Sequence, residues 1–171
     1  DPEHIYGLSK VFQDSLCKQY YKMFKLKTIR AILFNTSGRG KKFDVFYDIC
    51  KQFSDQFHKQ KITIRCGNLK NFRDFMHVED VAKGLLFLSK KGIPGQSYNI
   101  GSSNLTKISK IIEILKKKYK KDIVIKTDKK LLRAYDEKFI SASIKKIKKL
   151  GWKPTKKIDD IINDMVTKNQ L

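Results

Sequence analysis

Residues 28–57 read TIRAILFNTSGRGKKFDVFYDICKQFSDQF, and this stretch decides the fold class. Residues 28–34 are an apolar, β-prone run that predicts a buried strand. The loop at 35–40 contains two glycines and turns the chain into a helix predicted over residues 44–57. A strand, a short polar loop and a helix in this order are typical of an α/β protein.

The same alternation continues on both sides of this stretch. We predict further helices over 6–24, 78–89, 106–119, 143–150 and 158–167, and strands near 62–64, 72–75, 96–100 and 122–126. Glu79 and Asp80 stand in the first turn of the third helix, where the helix dipole favours negative charge. Thr106 is the predicted N-cap of the fourth helix.

Composition limits the function classes. The 171 residues carry 38 Lys and Arg against 17 Asp and Glu, a formal net charge of +21. The excess consists mostly of lysines on predicted helix surfaces, such as residues 116–118 and 145–146, and no nucleic-acid-binding motif accompanies it. We therefore expect no specific nucleic-acid partner. With no apolar run of about 18 to 20 residues and no signal-like beginning, a cytoplasmic protein with no membrane partner is expected.

Cysteine usage predicts neither disulfides nor a metal site. Cys17, Cys50 and Cys66 are widely spaced and follow no chelating pattern. They are interpreted as reduced thiols.

Tyr6 and Lys10 form the candidate catalytic pair. They stand four residues apart, so both side chains lie on one face of the first helix. A tyrosine with a pKa near about 10 is a poor acid or base at neutral pH, and a neighbouring cation favours its ionised form. Tyr6 is therefore a candidate proton donor and acceptor, although a Y-x-x-x-K spacing also arises by chance on exposed helices.

The order of further sequence blocks strengthens this interpretation. The helix motif YGLSK at 6–10 is followed by IRAILFN at 29–35, GNLKNFRDFMHVEDVA at 67–82, YNIG at 98–101, R-x-x-D at 133–136 and LGWKP at 150–154. Together these blocks resemble the extended short-chain dehydrogenase/reductase family, and within it the branch that acts on GDP-sugars.

The resemblance implies a fold and an activity. The expected fold is the C-terminal portion of a Rossmann-like parallel sheet with a small α/β substrate-binding lobe, spanning residues 1–171. The implied activity is NADP- or NAD-dependent reduction of a GDP-4-keto-6-deoxy-hexose with Tyr6 as proton donor. GDP-mannose 4,6-dehydration, epimerisation of a nucleotide-diphosphate sugar, and a non-catalytic nucleotide-sugar-binding module remain alternatives, and a homo-oligomer is expected.

Site residues follow from the same resemblance. Tyr6, Lys10, Leu33 and Asn35 are implied to contact the cofactor. The residues implied to hold the substrate are Asn35, Asn68, Arg73, Arg133 and Asp136. Ala134 departs from the family, which usually has proline after the arginine. Alternatives are a surface Arg73 paired with Asp74, and Asn68 as a turn former only; for His77 a structural role is expected.

The sequence contains no G-x-x-G-x-x-G turn for a dinucleotide pyrophosphate and no upstream Ser or Thr to complete the catalytic group. We therefore expect this chain to be part of a longer enzyme; the alternatives are that the missing half was lost or is supplied by another polypeptide.

Overall fold

The computed structural model describes residues 4–132 and 136–167. Over these residues the chain alternates between helices and strands. The helices are α1 Ile5–Phe24, α2 Val45–Asp55, α3 Val78–Lys91, α4 Ser109–Tyr119, α5 Lys145–Lys149 and α6 Ile158–Thr167, with a 3₁₀ turn at Lys129–Leu131. The strands are β1 Arg30–Leu33, β2 Thr36–Ser37, β3 Lys61–Cys66, β4 Phe72–Asp74, β5 Met76–His77, β6 Ser97–Ile100, β7 Leu105–Lys107, β8 Asp122–Thr127 and β9 Phe139–Ile140.

Most strand pairs are parallel. β1 pairs with β6, β2 with β5, and β3 with β8, all in parallel register. β4 lies between β7, to which it is antiparallel, and β9, to which it is parallel. Helices connect the parallel strands, as parallel pairing requires. The predicted α/β class with a Rossmann-like parallel arrangement is confirmed.

Two apolar cores hold these elements together. In the first, α2, α4 and α6 cover β3 and β8, with Phe46, Phe53 and Ile64 fully buried. In the second, α3 and α5 pack on β1 and β6 around Tyr98, Ile147 and the other members of that cluster. Trp152 is buried in this second core.

Helix α1 is different, because none of its residues is buried. Its contacts with the rest of the chain include an ion pair of 2.6 Å between Asp14 and Arg30. Thr28 Oγ1 also donates to the Cys17 carbonyl at 3.1 Å. Thr28 thus contacts Cys17, whereas Arg30, two residues later, contacts Asp14, which lies three residues earlier in α1. Because the contacts in α1 move back as the chain advances into β1, α1 runs antiparallel to β1.

Thr106 does not cap α4, so that prediction was wrong. Thr106 lies in β7, opposite Arg73 of β4. Helix α4 begins at Ser109 after Ile108, without a side-chain cap. Pairing with a strand more than thirty residues away satisfies the backbone of residues 105–107, and this long-range pairing overrides the local capping preference.

The cysteines are free, with Cys17 exposed and Cys50 and Cys66 buried. Burial raises the pKa of the Cys50 thiol and of the Cys66 thiol. Among the described helices, none has the length and hydropathy to cross a bilayer.

Candidate functional site

A cleft of about 340 Å³ opens where β1 and β3 end. Ligand sites of open parallel α/β folds lie at these carboxyl ends of strands. Polar residues lining the cleft are Asn35, Asp44, Asp48, Arg65, Asn68, Arg73, Lys130 and Asp136. Its apolar walls include Phe43, Ile49, Leu131 and Leu132.

Arg73 is the buried cation of this cleft, with only 7% of its surface exposed. Its Nη2 forms an ion pair with Asp136 Oδ1 at 2.5 Å. Its Nη1 donates to the carbonyl oxygens of Phe72 and Glu137, both at 2.7 Å. A guanidinium has five N–H donors, and the described residues occupy three of them. The alternative of a surface Arg73 paired with Asp74 is wrong.

Asp74, the next residue, faces away from the cleft and organises the loops behind it. Its carboxylate accepts from the backbone N–H groups of Ser102 at 2.7 Å, Ser103 at 2.9 Å and Ala142 at 3.1 Å. Successive residues of a strand point to opposite faces. The Arg73 guanidinium therefore lies in the cleft, and the Asp74 carboxylate lies on the other side of β4, where it binds backbone N–H groups.

The loop between β1 and α2 forms another wall. Asn35 follows β1, and its carbonyl accepts from Met76 N–H at 2.8 Å. Asp44 is the N-cap of α2 and accepts from Tyr47 N–H at 2.7 Å. Its other carboxylate oxygen accepts from the buried Ser37 hydroxyl at 3.3 Å. Each oxygen of the Asp44 carboxylate thus accepts a hydrogen bond from a group of this loop or of α2.

Asn68 closes the turn after β3. Its side-chain oxygen accepts from Lys70 N–H at 2.9 Å, and its amide donates to Asn71 at 3.1 Å. The turn can approach the 3₁₀ segment closely because residue 67 is glycine. A Cβ on Gly67 would lie 2.5 Å from the Leu131 carbonyl oxygen. Asn68 therefore forms the turn and also lines the cleft.

Tyr6 and Lys10 lie on the exposed first half of α1. Lys10 Nζ is 5.4 Å from the Tyr6 ring centroid and donates to Gln13 at 3.0 Å. The Tyr6 side chain is 69% exposed. No contact among the described residues joins either side chain to the cleft.

The position of Tyr6 along the fold follows from the Asp14 and Arg30 ion pair. Eight residues of helix from Asp14 back to Tyr6 span about 12 Å. Four residues of strand from Arg30 forward to Phe34 span about 13 Å. Since α1 and β1 are antiparallel, Tyr6 stands level with the carboxyl end of β1, where Leu33 is 48% exposed and Asn35 enters the cleft.

Of the predicted site residues, the structure brings Asn35, Asn68, Arg73 and Asp136 together around one cleft. Tyr6, Lys10 and Leu33 stand outside its lining. Arg133 lies outside the described residues.

Sequence reasoning missed Asp48, Phe43 and the leucines of the 3₁₀ segment. A signal for Asp48 was present, because Asp44, Asp48, Gln52 and Gln56 recur every four residues and therefore form one polar row along α2. Phe43 carried no sequence signal, since only the structure shows its left-handed backbone, with φ of 60°.

His77 has a structural role, as expected. Its Nδ1 accepts from Glu79 N–H at 3.1 Å and so caps α3. Its Nε2 must then carry the proton, and it faces Asp164 of α6 at 3.3 Å. Possible metal-ligand atoms of His77, Glu79 and Asp164 lie within 4.8 Å of one another, but the helix cap and the contact between His77 and Asp164 account for the arrangement.

The fold and the cleft define the class: an α/β nucleotide-binding fold whose polar site lies at the carboxyl ends of parallel strands. A sequence profile of the family described as GDP-mannose 4,6 dehydratase matches residues 1–165. The chain therefore belongs to this family, one of the extended short-chain dehydrogenases.

Curated relatives share between a quarter and a third of their aligned residues with this chain. The GDP-6-deoxy-D-mannose reductase of Pseudomonas aeruginosa is 28% identical over 156 residues, which are 90% of this chain and 51% of the relative. The dTDP-4-dehydro-6-deoxyglucose reductase of Escherichia coli is 25% identical over 96% of this chain and 52% of its own length. The chain thus spans about half the length of these relatives.

A solved structure shows the same fold. The RMD protein of Pseudomonas aeruginosa, complexed with NADPH, superposes with a TM-score of 0.89 at 24% identity, over 99% of this chain and 57% of that chain.

Proposed function

We propose that this chain supplies the catalytic tyrosine and the substrate cleft of an enzyme that reduces the 4-keto group of a GDP-4-keto-6-deoxy-hexose. The observation that carries the proposal is the placement of Tyr6. Eight helical residues back from the Asp14 ion pair with Arg30, Tyr6 stands level with the carboxyl end of β1, where the cleft that contains Arg73 also opens. An acid/base group and a cationic nucleotide site at one sheet edge suit a reaction on a nucleotide-linked sugar.

The cleft would bind the nucleotide diphosphate. Arg73 offers its remaining N–H donors to phosphate oxygens, and its guanidinium is held in place by Asp136 and two carbonyls. Asn35 and Asn68 lie along the same wall. Arg133 and Asp136 are assigned to the phosphate and ribose by the family resemblance.

Tyr6 would exchange the proton at the sugar 4-oxygen. Lys10 lies within the usual cation–π distance of the Tyr6 ring. The phenol and the ammonium would therefore approach the substrate from one face of α1. The exposed helix face leaves the Tyr6 oxygen accessible to a substrate.

The cofactor of the proposed reaction is NADP or NAD, which supplies the hydride. Tyr6, Lys10, Leu33 and Asn35 would hold it: Lys10 would donate to a hydroxyl of the nicotinamide ribose, and Leu33, which is exposed at the end of β1, would contact the nicotinamide ring. The cytoplasmic location expected from the sequence pattern and the homo-oligomeric state expected from the resemblance belong to the same proposal.

The test is turnover by an enzyme that contains this chain. We expect oxidation of NADPH or NADH with GDP-4-keto-6-deoxy-mannose, followed by nicotinamide absorbance and by NMR of the sugar. Tyr6→Phe keeps the ring and removes the hydroxyl, so turnover should fall by roughly 10²- to 10⁴-fold, the usual contribution of an acid/base group. Tyr20→Phe, on the same helix, is the matched control and should retain parental turnover.

Other outcomes assign other functions. Turnover of Tyr6→Phe within about twofold of the parent would contradict the role of Tyr6. Conversion of GDP-mannose to the keto sugar would indicate a dehydratase, and interconversion of sugar epimers an epimerase. Nucleotide-sugar binding without any turnover would indicate a binding module.

A further inference from the structure

The carboxylate of Asp48 is unusual among the acidic groups of the cleft. Asp44 caps α2, and Asp136 is paired with Arg73. The Asp48 carboxylate makes no hydrogen bond and no ion pair with any residue in the described parts of the chain. A cleft proposed to bind an anionic nucleotide thus contains an acidic group that the fold does not use.

A ladder of glutamines locates this carboxylate. Gln56 bonds both the N–H and the C=O of Thr63, at 3.1 and 2.9 Å. One turn earlier, Gln52 does the same with Arg65, both at 2.8 Å. Four helical residues and two strand residues both span about 6 Å. Asp48 lies four residues before Gln52 in α2, and Gly67 lies two residues after Arg65 of β3. Asp48 is therefore level with Gly67, just past the end of β3.

The Asp48 carboxylate is open to a ligand, because the residue is exposed where it lines the cleft. Partial burial, and then the charge of Asp44, raise the pKa of the Asp48 carboxyl. A carboxylate that lines a cleft and has no partner among the described residues is a functional rather than a structural candidate.

The surroundings of Asp48 fit a flat aromatic ligand. Ile49, Leu131 and Leu132 supply apolar walls. Phe43 stands at the edge with 89% of its side chain exposed, on a left-handed backbone that is strained for a bulky residue. An exposed ring and an apolar slot suit stacking of a nucleobase.

We propose that Asp48 determines the base specificity of the cleft, accepting the paired N–H donors of guanine while Phe43 covers the base. This inference rests on the function proposed above. Guanine presents N1–H and its 2-amino group side by side, which match the two oxygens of a carboxylate. Uracil and thymine present one N–H between two carbonyl oxygens, which a carboxylate repels. Arg65, in the same lining, carries N–H donors that suit guanine O6.

The experiment is calorimetric titration of the purified protein with GDP, IDP, UDP and dTDP. GDP should bind about tenfold or more tighter than UDP and dTDP, and IDP, which lacks the 2-amino group, should lie between them. Asp48→Asn should weaken GDP about tenfold or more and should not weaken UDP or dTDP, because it removes the repulsion of their carbonyl oxygens. Asp55→Asn, a carboxylate at the other end of α2 paired with Lys51, is the matched control.

The failures are distinguishable. If no nucleotide binds, the proposed function fails and this inference fails with it. If nucleotides bind but GDP is not preferred, the assignment of Asp48 to guanine is overturned and the proposed function is not. Titration of the protein without any substitution is enough to decide this point. Equal weakening of all four nucleotides by Asp48→Asn would assign the carboxylate to the ribose and would also overturn it.

Discussion

Arg73 shows how a single side chain is fixed before any ligand arrives. Its guanidinium is bonded to Asp136 and to two backbone carbonyls, and only 7% of the residue is exposed. Holding a planar fork in one orientation lowers the ordering cost of binding a phosphate. The buried pair therefore serves recognition more clearly than stability, since buried ion pairs contribute little net stability.

At this scale we predict that Arg73→Ala weakens GDP binding by about 1 to 3 kcal/mol, the range for a charge-assisted hydrogen bond. Titration calorimetry below the melting temperature of the variant measures the change. Arg30→Ala is the control, because it also breaks an arginine ion pair but lies outside the cleft lining. Unchanged GDP affinity in a folded Arg73→Ala protein would remove Arg73 from the site.

At the scale of elements, one carboxylate connects α3 to the segment that leads into α6. Asp80 accepts from Thr155 N–H at 2.8 Å, from the Thr155 hydroxyl at 2.9 Å and from Lys156 N–H at 2.7 Å. Burial alone would raise the pKa of Asp80, but the hydrogen bonds from Lys156 and Thr155 outweigh it, and the pKa is lowered. These hydrogen bonds join α3 of the second core to the segment that precedes α6 of the first core.

Asp80→Asn should therefore lower the free energy of unfolding by about 2 kcal/mol at neutral pH, the order expected for hydrogen bonds to a charged group. A carboxyl whose pKa is lower when folded stabilises the fold above its unfolded pKa of about 3.9. The difference between the two proteins should be constant at higher pH and shrink as the pH falls below that value. Urea titrations over a pH series measure it.

The neighbouring substitution Glu79→Gln is the control for this experiment. Glu79 forms an exposed pair with Lys156 at 3.4 Å, and exposed pairs contribute little. An Asp80→Asn difference that persists unchanged at acid pH would contradict the assignment of the stabilisation to the ionised carboxylate.

At the scale of the whole molecule, the two cores and α1 differ in how they are held. The helices of the first core bury several large apolar side chains, whereas α1 buries none. Large side chains of α1 exposed by more than half of their surface are Ile5, Tyr6, Leu8, Val11, Phe12, Met23 and Phe24. Helices gain most of their stability from tertiary packing, so α1 is the least supported α-helix in the described part of the chain.

Hydrogen exchange followed by mass spectrometry should reveal this difference. In a protein of residues 1–171, we expect the amides of α1 to exchange first among the helices and those of α2 and β3 to exchange last, because local opening follows the number of buried contacts. Protection of α1 equal to that of α2 would contradict the expectation and would indicate that its apolar face is covered in solution.

The sequence by itself determined what depends on local spacing. Periodicity located α1 and α2 to within a few residues, because backbone geometry repeats every 3.6 residues in a helix and every two in a strand. The four-residue spacing of Tyr6 and Lys10 placed both on one face for the same reason. Family resemblance added Asn35, Asn68, Arg73 and Asp136, and the structure assembles these four around one cleft.

Only the tertiary structure decided which distant residues meet. The Arg73 and Asp136 pair joins residues 63 positions apart, and the ladder that locates Asp48 joins α2 to β3. Thr106 became a strand residue because its backbone found a partner in β4. Such pairings follow from the need to satisfy buried backbone and charged groups across the whole fold, and no local pattern in the sequence encodes which partner does so.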